Sequence, residues 1–139
     1  MTAAAQQADI VGLNASLHAG SVGPETALSA LGERFLERRN WVEEAAGDRF
    51  AQIELQMNTF MTAVTSSTSE AEEMFNGMAP MFGLTAEQAK TIPMVLAGTV
   101  NDVCEQLERY RDQYGTSYWV IHDGEIETMA PVVAKLAGS

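Results

Sequence analysis

Few side chains in this sequence are suited to acid–base, nucleophilic or metal chemistry. There are two histidines, His18 and His122, and one cysteine, Cys104. Their spacings are unrelated, so they form no metal-ligand set, and no Ser-His-Asp arrangement can be drawn from them. Cys104 falls beside the buried face of a helix, with no charge evident to activate its thiol, and reads as packing. His122 and Asp123 follow an apolar run. They are either a ligand-facing imidazole oriented by Asp123 or a surface loop in which Asp123-Gly124 make the turn. Asn14, Ser16 and His18 follow another apolar run. They are either polar contacts to a ligand or the capping residues of a loop. Gly20-Ser-Val-Gly-Pro, ahead of a helix start, has backbone N–H groups that could hold an anion.

The elements that position these residues are marked by caps and periodicity. Thr99 is a helix N-cap and Asp102 completes a capping-box variant. Val103, Leu107, Tyr110 and Tyr114 then share one helix face, and Gly115 follows where a left-handed terminal residue is wanted. Tyr118-Trp-Val-Ile is apolar without alternation, which predicts a strand covered on both faces. Upstream, Ile10-Val-Gly-Leu reads as a short strand. Pro24-Glu25 opens a helix to about Ala46, with Leu28, Leu31, Phe35, Val42 and Ala46 inward and Arg38 among the solvated positions.

Ala51 to Thr65 is the longest strand candidate. Ile53, Leu55 and Met57 alternate with Glu54, Gln56 and Asn58 until the pattern is lost at Phe60, where the strand bends or is buried on both sides. The polar residues are a solvated face, or an interior face where further strands close over them. Ser69 with Glu72, and Thr85 with Gln88, predict two short helices carrying Met74, Met78 and Met81 as adaptable packing. A last helix runs from Glu125 to Ala137, beginning or kinking at Pro131. With no tight hairpin signal, the expectation is one α/β domain, residues 1–139. It has about three parallel strands with right-handed helical crossovers.

The bulk numbers narrow the function classes. The 139 residues suffice for one core, and 46% hydrophobic content is that of a globular chain. Eight Lys+Arg stand against 19 Asp+Glu, a net charge of −11. Nothing concentrates positive charge against phosphates, which excludes nucleic-acid and anionic-membrane binding. One cysteine allows no internal disulfide, and the first residues lack a signal peptide's basic and apolar regions. The expectation is a soluble cytoplasmic protein.

In order along the chain stand Asp9-Ile-Val-Gly-Leu-Asn, Trp41-Val-Glu-Glu-Ala-Ala-Gly-Asp-Arg-Phe before Ile53-Glu-Leu-Gln, Gly98-Thr-Val-Asn-Asp-Val-Cys-Glu-Gln-Leu, Tyr118-Trp-Val-Ile and Ala130-Pro-Val-Val-Ala-Lys-Leu-Ala-Gly. Together they resemble the C-terminal part of luciferase-like monooxygenases, the bacterial luciferase superfamily, and within it the deazaflavin-dependent oxidoreductases. The resemblance implies a TIM-type (β/α)8 barrel, with FMN or a deazaflavin coenzyme bound at the C-terminal ends of the strands for hydride transfer or oxygen activation. It makes this chain's strands the last three of such a barrel. It also places Asn14, Ser16, His18 and His122 on the active face as cofactor-binding candidates.

A full barrel takes roughly 250 residues. The family's earlier strands and phosphate loop are not in this sequence. The resemblance therefore implies a partial barrel with two open sheet edges, completed by a homodimer, a higher oligomer or a separately encoded N-terminal half. Two functions follow. One is a flavin- or deazaflavin-dependent oxidoreductase subunit acting on a small molecule. The other is a non-catalytic half-barrel, a binding or structural protein that has lost the cofactor site.

Overall fold

A computed structural model describes residues 2–17, 20 and 23–138. The elements, in chain order, are α1 (Thr2–Gln7), β1 (Ile10–Gly12), α2 (Pro24–Ser29), α3 (Gly32–Ala46), β2 (Glu54–Asn58), β3 (Met61–Val64), α4 (Thr68–Met78), α5 (Ala86–Lys90), β4 (Val95–Gly98), α6 (Val100–Tyr114), β5 (Thr116–Val120) and α7 (Ile126–Leu136). The fold is α/β, and all three strand pairings are parallel. β1, β2 and β5 form one sheet in that spatial order, while β3 and β4 form a second. Parallel neighbours need crossovers, and the helices between the strands supply them.

The long strand candidate resolves into a 3-10 segment over Gly47–Gln52 and two strands. The alternation fails at Phe60 because the backbone changes partners there. Thr59 donates to the Val120 carbonyl through both its N–H, at 2.9 Å, and its hydroxyl, at 3.1 Å. The next residue, Phe60, donates instead to the Met94 carbonyl at 2.7 Å. So β2 lies against β5, and its continuation β3 lies against β4. Sequence reading assigned no strand to Val95–Gly98. That strand is buried at every position, so it has no alternation to reveal it.

The expected single helix from Pro24 to Ala46 is two. Leu31, at φ −58° and ψ 146°, leaves the helical region and starts α3. Gly32 then comes so close to its neighbours that a Cβ would lie 2.7 Å from the Tyr114 Oη and 2.8 Å from the Thr91 carbonyl oxygen. This close approach fixes the start of α3 against α6. The break also turns Leu28 outward and Arg38 inward, reversing both sequence expectations. Arg38 donates to the Ser29 carbonyl at 2.7 Å and stacks 5.2 Å from the Phe35 ring. Its burial lowers its pKa from the ordinary guanidinium value.

Other expectations hold with adjustments. Both capping boxes at Thr85–Gln88 and Thr99–Asp102 are formed, and Gly115 is left-handed at φ 73°. The cap of α4 is Ser67 rather than Ser69, two residues early, and its hydroxyl accepts from the Glu70 N–H. α7 starts at Ile126 and continues through Pro131, which is solvent-exposed. Of the three methionines expected to pack, Met81 is 77% exposed.

One face of the main sheet carries the core. Val11, Leu13, Leu55, Met57 and Thr116 are buried there with Phe35 and Val42 of α3 and Val103, Tyr110 and Tyr114 of α6. The Phe35, Tyr114, Tyr110 and Trp119 rings form a chain with centroids 5.8–6.3 Å apart. Burial, reinforced by the nearby Tyr110, pushes the Tyr114 phenol up to about 12. Each such large side chain removed from water contributes about 2 kcal/mol.

The other face of the sheet is open. Ile10 is 50% exposed, Tyr118 42% and Val120 39%, alongside Glu54, Gln56 and Asn58. This corrects the expectation that Tyr118-Trp-Val-Ile is covered on both sides. β5 is an edge strand, and only Thr116 and Trp119 turn into the helical layer.

Candidate functional site

In a parallel sheet every strand ends on the same side, so the residues after β1, β2 and β5 converge. Gly12 is registered with Gln56, and Asn58 with Val120. A Cβ built on Gly12 would lie 2.9 Å from the Gln56 Oε1 and 3.1 Å from the Asn14 Nδ2. Glycine at this position therefore lets two carboxamides close over the strand end. The Gln56 Nε2 donates to the Asn58 Oδ1 at 2.7 Å. Asn14, Gln56 and Asn58 thus make a row of amides at the top of the open face.

Of the four site residues read from the sequence, Asn14 belongs to this row. Ser16 is tied instead to α2: its N–H donates to the Ser29 hydroxyl at 2.9 Å, which returns a bond to its carbonyl at 3.4 Å. That is loop capping. His18 lies outside the described residues, as do Ser21 and Val22 of the glycine-rich stretch. His122 is exposed at the end of β5. The Asp123 carboxylate accepts from the Gly124 N–H at 2.9 Å, the contact that the turn reading of Asp123-Gly124 expects.

Glu125 is the residue that sequence reading passed over. Its carboxylate accepts from the Thr62 N–H at 2.8 Å and from the His122 N–H at 3.1 Å. One side chain therefore ties the end of β5 to the start of β3. Burial alone would raise its pKa, but these N–H donors outweigh burial and hold it below the ordinary carboxylate value.

Gln56 and Asn58 were visible in the sequence as a polar alternation, but nothing there distinguished a site from a wet face. What does so is the β1–β2 register, which brings Gly12, the last residue of β1, against Gln56.

Chemically, the amide row binds rather than transfers protons. A carboxamide is neutral, donates through its NH2 and accepts through its oxygen. Beyond the end of β2, under the α4–α5 insertion, lies an apolar cavity of about 260 Å3 lined by Phe60, Met61, Met78, Phe82, Leu84 and Ile92.

Among the described residues no group of three or more His, Cys, Asp and Glu is placed to hold a metal ion. No helix among them is long and apolar enough to cross a membrane. Cys104 is buried in α6, in keeping with its reading as packing. Comparison with family models, with curated proteins and with solved structures finds no match to this chain.

Proposed function

We propose that this chain is the closing, three-stranded part of a luciferase-like (β/α)8 barrel. On this reading it serves as a flavin- or deazaflavin-dependent oxidoreductase subunit acting on a small molecule. The observation that carries the reading is the order β1-β2-β5: three parallel strands that follow one another across the sheet in chain direction, with β3 and β4 set aside in a second parallel pair, helices on one face and an open polar face on the other. In a barrel the helical face is outside, the open face is inside, and ligands sit at the C-terminal strand ends. The amide row stands at that end. The 260 Å3 cavity lined by Phe60 and Met61, which follow β2, offers space for the apolar part of a substrate.

The residues present fit one half of such a coenzyme. Asn14, Gln56 and Asn58 suit the polar edge of an isoalloxazine or deazaflavin ring, where carbonyls and N–H groups alternate. His122 adds an exposed imidazole at the same sheet end. The phosphate is not fitted. Residues 13–23, 59–60, 65–67 and 121–125, which follow the strands, include no Lys or Arg. When bound, the coenzyme supplies the hydride chemistry, and these side chains orient its ring. Asn58 fixes the Gln56 amide through their hydrogen bond.

The free edges of β1 and β5 and the exposed Ile10, Tyr118 and Val120 call for completion of the sheet. A second copy or a separately encoded N-terminal half would supply it, and the latter would also bring a phosphate site. The absence of Lys and Arg from those segments equally favours a second reading, a half-barrel that binds without catalysing. Titration of FMN and of a deazaflavin coenzyme with purified protein, followed by coenzyme fluorescence, separates the two. Saturable quenching supports the oxidoreductase reading. No binding at on the order of tens of micromolar removes it for the chain alone.

A further inference from the structure

The second sheet carries a polar cleft of its own. Beside the carboxyl end of β4, α4 and α6 stand apart around a space of about 230 Å3, which Lys90 at the end of α5 also lines. Ligands of parallel sheets sit outside carboxyl strand ends, and this space is smaller than a drug-sized site, so it suits a small molecule. Most of its polar side chains are committed to one another or to backbone. The Thr68 hydroxyl donates to the Asp102 carboxylate at 3.0 Å, as does the Thr99 N–H at 2.9 Å. Gln106 bonds both the carbonyl and the N–H of Ala97, at 2.7 and 3.3 Å. Lys90 donates to both oxygens of Glu72, at 2.8 and 2.7 Å.

Two charged groups that line the cleft remain, Glu105 and Arg109, both exposed. They stand four residues apart on α6, the spacing at which Glu and Arg pair across one helical turn. On α3, Arg34–Glu37 and Arg39–Glu43 do pair at such spacings. Glu105 and Arg109 do not. The Arg109 guanidinium lies over the Tyr110 ring instead, 5.1 Å from its centroid. Among the described residues the Glu105 carboxylate has no hydrogen bond or ion pair. One carboxylate and one guanidinium therefore line the same space without neutralising each other.

We propose that this cleft binds a neutral α-amino acid. The ligand's carboxylate takes the planar fork of Arg109, and its ammonium group donates to Glu105. Ala71, Phe75 and Ala97, which complete the lining, add no third charge, so an uncharged side chain fits. This site is independent of the coenzyme reading and stands or falls without it.

The probes are L-valine, isobutylamine, which lacks its carboxylate, and isovalerate, which lacks its ammonium group. Binding is followed by proton–nitrogen NMR of the Ala71 and Gly98 backbone N–H groups in the full chain. Two variants accompany the wild type, Glu105→Gln and Arg109→Gln. Both change exposed helical positions to another good helix former, so both fold. L-Valine is expected to shift the resonances saturably, and each analogue to bind about tenfold or more weakly, the equivalent of one charged hydrogen-bonded contact. Glu105→Gln is expected to weaken L-valine by a similar factor and leave isovalerate unchanged. Arg109→Gln is expected to weaken L-valine likewise and leave isobutylamine unchanged. The proposal is overturned if L-valine gives no saturable shift up to on the order of 10 mM. It is equally overturned if either analogue binds as tightly as L-valine, or if either variant binds L-valine like the wild type. A variant that weakens L-valine and the analogue lacking the matching group alike also overturns it.

Discussion

Two residues hold positions that no neighbouring type could fill. At Gly32, a methyl group would come within 2.7 Å of the Tyr114 Oη and 2.8 Å of a backbone oxygen. The backbone oxygen cannot move aside as a side chain can. Gly32→Ala is therefore expected to destabilise by about 1–3 kcal/mol, the usual cost of overpacking, measured by urea denaturation. Glu125 is different, since its effect depends on pH. Its folded pKa lies below the ordinary 4.5, so its contribution is present above that value and lost as pH falls through the folded pKa. Glu125→Gln should lower the melting temperature at pH 7. The gap from wild type should close below about pH 4.5, and a gap that persists undiminished in acid would contradict the ionic role.

At the scale of elements, local chemistry was legible and tertiary partnership was not. Thr99, Asp102 and Gly115 specify both ends of α6 by contacts within a few residues, and a sequence displays such contacts directly. Thr99→Ala should cost about 1 kcal/mol through loss of that cap, read from the denaturation midpoint. The bend at Thr59 depends on Val120 and Met94, both more than thirty residues away, so Phe60 betrayed only that something changed. β4 was missed because a strand buried throughout looks like any short apolar run. β5 was misjudged for the converse reason. Its apolar run predicted two covers, and the fold provides one. For the site, Asn14 and His122 were visible as residues after strands. The Gly12 approach that gathers Asn14, Gln56 and Asn58 needs the β1–β2 register, which no local pattern encodes.

For the molecule as a whole, the sheet is finished on one side only. Two free parallel edges and an open face bearing Ile10, Tyr118 and Val120 are expected to drive assembly. The net charge of −11 opposes association of identical copies. Self-association should therefore strengthen as salt screens that repulsion. Light scattering behind size exclusion, at micromolar protein and two ionic strengths, reads this directly; a monomer at both would rule out completion by a second copy.

The segments that follow the strands carry no Lys or Arg, which has a sharper consequence for coenzyme binding. This chain should recognise the ring and ignore the phosphate, so riboflavin is as good a probe as FMN. The decisive measurement is quenching of riboflavin fluorescence by the wild type and by Gln56→Leu, which removes the centre of the row on an exposed strand face. Saturable quenching by the wild type, weakened about tenfold or more in the variant, is expected from the loss of a ring-edge hydrogen bond and its ordered neighbour. Equal quenching by both proteins, or none by either, would contradict a ring site at Asn14, Gln56 and Asn58.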